Sequence, residues 1–234
     1  MPVKMKLTTI IFCFLISAFC LLPSVVFAAP CYGTKMPEAK NIFMGLQTHS
    51  ILKRNLEGEY GRVRSTQHFL NLSYGINNRI SLDLKGGIGD IGQHPLDSAE
   101  VDYPNGFAGG YGFRLGLYDK NNIKAVFGFQ HISVHPQSTH VGDTKNQAIL
   151  DDWQVSALTS YTFKRMTPYL GIKWSRTDYI HRESGNRKRK MSDLTRDLGA
   201  VIGCDIYAAE NIWFNLEGQF IDSRAVAVGV NLSF

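Results

Sequence analysis

After residue 28 the chain contains no run of 18 or more apolar residues, which excludes a membrane-spanning helix from that point on. Cysteine is scarce as well, with four in 234 residues, and Cys13 and Cys20 stand in the leader. The remaining pair, Cys31 and Cys204, allows one disulfide at most, so no disulfide framework can replace a core. Nor does one charge sign dominate: 25 basic residues face 20 acidic ones. Losing Lys4 and Lys6 with the leader lowers the formal charge from +5 to +3, and so mild an excess implies no nucleic-acid partner.

The leader itself carries a pattern. Lys4 and Lys6 precede an almost unbroken apolar run from Leu7 to Phe27, and Val26-Phe27-Ala28 places small residues where signal peptidase reads. The expectation is a secretory signal peptide over 1–28, cleaved after Ala28. Pro30 stands where a lipoprotein site needs a small residue before its cysteine, so Cys31 is not expected to be acylated. Residues 29–40 are then expected as a periplasmic segment and 41–234 as one folded unit.

That unit alternates. Val226, Val228, Val230, Leu232 and Phe234 share one face of the last segment, opposite Ala225, Ala227, Gly229, Asn231 and Ser233. Lipid outside and lumen inside impose this period of two on a membrane β-strand. It recurs in segments such as Leu70 to Ile76, Ile80 to Ile88, Tyr111 to Leu117, Leu170 to Trp174 and Ile212 to Phe220, ten in all. Short turns at 77–78, 119–122, 164–167 and 208–211 alternate with longer polar segments at 54–63, 90–106, 135–151 and 180–193. The prediction is an all-β fold: a closed antiparallel transmembrane β-barrel of ten strands, with eight as the alternative.

A charge facing lipid at mid-membrane costs about 2–4 kcal/mol, and no outward residue of these segments is charged. The inward positions carry Asp83, Lys85, Arg114, Lys124, Lys173, Asp197, Asp205 and Glu217. Asp83, Lys85, Arg114, Lys173 and Glu217 are expected as a mid-depth lumen cluster, with Asp83 and Arg114 face to face. Such a cluster serves either as a salt-bridged plug or as the lining of a narrow ion path. Trp213, Tyr118, Tyr169 and Tyr207 have inward parity and are expected at the periplasmic mouth.

The leader, the Gly-rich alternating strands and the closing Val-Gly-Val-Asn-Leu-Ser-Phe together resemble the small outer-membrane-protein β-barrel family. The resemblance implies the bacterial outer membrane as the location. It also implies that Val226, Val228, Val230, Leu232 and Phe234 form the signal read by the barrel-assembly machinery. It is weak for activity, because the family includes anchors, adhesins, pores and a few enzymes.

The seven histidines, His49, His68, His94, His131, His135, His140 and His181, all fall toward the outer rim, where an acyl-modifying or proteolytic enzyme would place a base. Ser50, Ser65, Asp143, Asp151, Asp152 and Asp178 are the available companions. Neither an omptin-like Asp-x-His pairing nor a His-Ser-Asn run like that of lipid A deacylases occurs, so no catalytic residue is assigned. No metal or cofactor is expected. The basic run Arg187-Lys188-Arg189-Lys190 suits a solvated surface loop or the phosphates of lipopolysaccharide. Outer-membrane lipids and lipopolysaccharide are therefore the expected partners. The leading expectation is a structural or surface-binding barrel with a closed lumen; a narrow pore comes second and a rim hydrolase on lipid or peptide third.

Overall fold

The computed structural model describes residues 30–191 and 196–234; the expected signal peptide lies outside them. The strands are β1 Ile42–Asn55, β2 Arg62–Asn77, β3 Ile80–His94, β4 Val101–Lys120, β5 Ile123–His135, β6 Thr139–Val141, β7 Thr144–Tyr161, β8 Met166–Glu183, β9 Asn186–Met191, β10 Leu198–Tyr207, β11 Ile212–Phe220 and β12 Ser223–Ser233. Neighbours pair antiparallel, β1 closes on β12, and β7 pairs with both β5 and β8. The short β6 and β9 extend the β7 and β8 edges above the wall. A ten-stranded closed barrel results, and closure leaves no sheet edge to face lipid unpaired.

Turn chemistry follows the sequence. Asn121 and Asn122 both adopt positive φ, 54° and 65°, the conformation that a tight hairpin between twisted strands requires. On the same rim the last residue of the barrel meets the first strand, Phe234 N–H donating to the Ile42 carbonyl at 3.0 Å.

Wall height is uneven. β11 and β12 have 9 and 11 residues, about enough to cross an apolar band of ~25 Å when tilted. β4 has 20 and β7 and β8 have 18 each, so this side rises well above the membrane. The long polar segments expected as loops are therefore largely sheet. Within them the alternation continues with its polarity reversed: Val63, Ile91, Tyr103, Ile132, Val134, Leu150 and Tyr179 point inward and are buried. Arg64, His68, Asp90, Ser133, Gln147 and Asp151 take the alternate, outward positions. Above the lipid the barrel obeys the ordinary rule of a water-soluble sheet, apolar inside and polar outside.

Candidate functional site: the filled lumen and the outer rim

Residues 30–36 lie inside the barrel and run down its lumen from Pro30, beside Gln130, to Lys35 at the periplasmic mouth, and only the following residues turn at the rim, where Lys40 N–H bonds the Gly75 carbonyl at 2.7 Å. The periplasmic placement expected for 29–40 is thus corrected for 30–36. Two features draw this strap inside. Small inward residues such as Gly112, Gly128, Ser156 and Ser160 leave space, and buried polar side chains of the wall need partners. Gln130 Nε2 donates to the Pro30 carbonyl at 2.6 Å. Thr34 donates to Ser160 Oγ at 2.7 Å, and Glu217 accepts the Cys31 N–H at 2.8 Å. Gly33 sits at φ 66° with Asp205 and Asn215 against the place a Cβ would take, a position where a side chain would be both strained and crowded.

Asp83 and Arg114 form a bidentate pair across β3 and β4, with Arg114 Nη2 to Asp83 Oδ1 at 2.7 Å and Nε to Oδ2 at 3.0 Å. Their contact is diagonal, since Arg114 lies directly opposite Ser81 and Asp83 opposite Gly112. Ser73 donates to Asp83, and Arg114 Nη1 donates to the Lys35 carbonyl of the strap at 2.5 Å. Lys85 donates to Gln47 at 2.9 Å and lies 3.9 Å from the Tyr32 ring centroid. Glu217 accepts from Tyr169 and Gln219 in addition to Cys31. At the mouth Lys35 stands 3.8 Å over the Trp213 ring and 4.5 Å over Tyr207, a cation–π clamp on the strap. The space left beside it is about 20 Å³, room for a water molecule.

Lys173 belongs to another group. It bonds Asp222 at 2.8 Å, and Asp222 also takes Arg54 at 2.8 Å and Ser175 at 2.8 Å. Sequence reading missed both partners. Arg54 follows a register shift after Ile51 that turns its parity inward, and Asp222 occupies what reads as an external hairpin. A usable signal was Gly199, opposite Lys173: a Cβ there would overlap the Asp222 carboxylate. The five expected cluster residues thus divide, Asp83, Arg114 and Lys85 around the strap, Glu217 across from them, and Lys173 above with Asp222.

Over these charges sits an apolar core of residues including Ile51, Phe69, Ile91, Tyr103, Ile132, Leu150 and Tyr179. Leu56 and Tyr60, from the β1–β2 connection, fold over it and are buried. This cap is tied down by Glu57 N–H to the Met191 carbonyl at 3.0 Å.

Other expectations change in detail. Tyr118 is 46% exposed because a register shift between Gly116 and Tyr118 turns it from the lumen. Asp197 lies outside the strands and accepts the indole N–H of outward Trp174 at 2.6 Å. Lys124 reaches the periplasmic rim and pairs with Asp119. Both cysteines are free, Cys31 inside the lumen and Cys204 half-buried with outward parity, so the wall separates them. Val226, Val228, Val230, Leu232 and Phe234 alternate with the buried Ala225 and Ala227 and lie on the outward face.

The histidines do not converge. His49 is buried beside Gln67, His94 contacts Glu100, and His181 stacks on Tyr179 inside the external core. His131 stacks on Trp153 on the outer wall, 3.8 Å from Asp151. Ser133 bonds both Asp151 and His135, the latter at 2.7 Å. Here the hydroxyl, not the imidazole, bridges the other two groups, the reverse of the order in which a carboxylate orients a general base. Among the described residues no cluster of His, Cys, Asp and Glu could hold a metal ion. Arg187, Lys188, Arg189 and Lys190 lie on β9, exposed except for the half-buried Lys190.

Residues 131–188, from β5 into β9, match the family model of the Chlamydia major outer membrane protein. Over 88 residues the chain is 32% identical to the major outer membrane porin, serovar F, of Chlamydia trachomatis; the match covers 36% of this chain and 21% of that protein. The chain thus spans about a fifth of the length of that relative. Among solved structures, it is similar to the translocator domain of the autotransporter NalP from Neisseria meningitidis, with TM-score 0.46 and 11% identity over 87% of this chain and 91% of that one. The attachment invasion locus protein Ail of Yersinia pestis gives TM-score 0.43 and 9% identity over 84% and 99%. The outer membrane protease OmpT of Escherichia coli gives 0.45 and 11% over 85% and 97%.

Proposed function

Taking the chain as a small ten-stranded β-barrel of the bacterial outer membrane, we propose that it is a structural and surface-binding protein with a closed lumen. The observation that carries this reading is the occupancy of the lumen at every height. The strap and its charged partners fill the membrane half, Arg54, Lys173 and Asp222 lie above them, and the apolar core fills the external half. Buried ion pairs keep their place only while each charge has a partner, so the network favours one fixed arrangement. The external hairpins, stiffened by that core, are a platform with polar outward faces, and outer-membrane lipids and lipopolysaccharide are the partners we assign to it. During biogenesis the alternating face of β12 is the surface we assign to the barrel-assembly machinery.

Planar-bilayer recording on the purified full chain tests the closed lumen. The expected result is a silent membrane; steady unitary steps would overturn it. A narrow pore is the second reading, favoured by the partial likeness to a protein named a porin and by the way the strap is held. Side chains rather than sheet pairing retain it, so it could leave without opening the wall. On that reading, weakening the strap through Thr34→Ala and Lys35→Ala raises conductance, whereas on the closed reading the apolar core keeps the variant silent.

A further inference from the structure

We infer that the outward face of β8 and β9 is a binding site for the phosphate groups of an outer-leaflet glycolipid. This rests on the surface-binding reading above and names its ligand class. Pairing fixes which basic residues share that face. Arg182 lies directly opposite Arg187, Ile180 opposite Arg189, and Tyr179 opposite Lys190. Tyr179 is in the external core and Lys190 stands 5.1 Å over the Tyr60 ring of the cap, so Lys188 and Lys190 take the inner side. Arg182, Arg187 and Arg189 take the outer side, in line with Arg176 further down β8.

At the foot of this column Trp153 is the cross-strand partner of Arg176, and Trp174 lies two residues nearer the periplasm. Both indoles are outward and more than a third exposed, as befits rings at the membrane interface. The arginines therefore begin where the lipid headgroups begin. Two further observations point to an anion. Asp178 is buried beneath Arg176 and Arg189 and bonds both, the former at 3.3 Å, so one carboxylate orients two guanidiniums, with Arg176 Nη2 also donating to Met191 Sδ at 2.9 Å. Asp151, the cross-strand partner of Asp178 on the same outward face, adds a second carboxylate there, so the cationic excess lies higher, at Arg182 and Arg187. Higher up, Arg182 and Arg187 are placed directly across a strand pair, an arrangement that like charges disfavour and that a bridging phosphate relieves. A guanidinium presents a planar fork that matches phosphate oxygens two at a time.

The column extends over seven residues of β8, from Arg176 to Arg182, roughly 20 Å of strand at about 3.3 Å per residue step. That reach suits a headgroup with more than one phosphate. A soluble phosphate would be equally attracted by the charge but would gain nothing from the tryptophans beneath, so the lipid-borne group is the occupant assigned.

Native mass spectrometry of the detergent-solubilised full chain, titrated with diphosphoryl lipid A and with lipid A stripped of phosphate, tests the site. The expected result is retention of the diphosphoryl form, with each guanidinium–phosphate contact removed weakening it by about tenfold. Arg182→Gln with Arg187→Gln should show this loss, whereas Lys188→Gln with Lys190→Gln, on the other side of the same hairpin, should retain the lipid. Heat-modifiable gel mobility confirms that each variant is folded, and Arg176→Gln with Arg189→Gln supplies a second independent pair. Equal retention of the phosphate-free lipid, or equal losses in the outer-side and inner-side variants, would overturn the proposal. So would arginine-dependent binding of soluble heparin fragments tighter than that of lipid A, which would assign the face to a soluble polyanion.

Discussion

The membrane half and the external half of this barrel share one continuous wall and have opposite polarity. Leu70, Leu72 and Tyr74 of β2 face lipid while Asn71 and Ser73 face the lumen; higher on the same strand Arg62 and Arg64 face outward and Val63 is fully buried. Between β2 and β3 the hydrogen-bonded ladder is indifferent to this change, since its register runs unbroken from Gly75 opposite Ser81 to Arg62 opposite His94. What changes is the solvent. Lipid rewards apolar groups outside and tolerates polar ones inside only if they are mutually satisfied, as Arg114, Asp83 and the strap are. Water rewards the reverse. The height at which the alternation inverts marks the outer surface of the membrane, and it falls where His131 and Trp153 stack and where Arg176 begins the basic column.

The sharpest test of the comparison is to unpair a buried charge in the membrane half. Arg114→Ala leaves Asp83 uncompensated and frees the strap, and should lower the unfolding free energy in lipid vesicles by about 3–5 kcal/mol. A loss of about 1 kcal/mol or less, the range of solvent-screened pairs, would show that this half is wet. Next comes the external core. Leu150→Ala should cost about 2–5 kcal/mol, and hydrogen exchange should locate the loosening in the outer ends of β5, β7 and β8, with the lower ladders still protected. Uniform loosening would mean that the two halves unfold as one.

A matched pair of charges sharpens the boundary itself. Val228→Arg, outward at mid-belt, should destabilise by about 2–4 kcal/mol, whereas Gln147→Arg, outward above the inversion, should stay within about 0.5 kcal/mol. Equal costs would place lipid against both. The smallest effect concerns acid. Glu100, in the external β3–β4 connection, is held below the usual carboxylate range by its hydrogen bond to Arg64, with His94 adding to the attraction. A depressed carboxyl is fully ionised and paired above its unfolded value, so that contribution is constant near neutrality and is lost as pH falls through the depressed value. Proteolysis of the 95–100 segment should quicken below about pH 4, near the ordinary Glu value, and Arg64→Gln should remove the dependence.

Residue by residue, the sequence carried the barrel well and the site partly. Period-two alternation is local, and it placed Val226 and Val228 outward and Asp83, Lys85 and Glu217 inward without reference to the rest of the chain. It failed at Arg54 and Tyr118, where a register shift adds one residue and reverses parity. In the external half it was hidden for a different reason: an inverted pattern such as Ala148, Leu150, Asp152 against Gln147, Ile149, Asp151 reads as polar loop to an eye set for lipid-facing strands.

By itself, then, the sequence determined a ten-stranded membrane wall and the faces of its belt wherever the register is unbroken, because nearest-neighbour pleating and the lipid outside leave a short-range record. Only the tertiary structure decided that the strap enters the lumen, that Asp222 joins Arg54 to Lys173, and that four arginines share one outward face. Those arrangements join residues as far apart as Cys31 and Glu217 through the closure of the barrel, and closure is a property of all ten strands together that no single segment encodes.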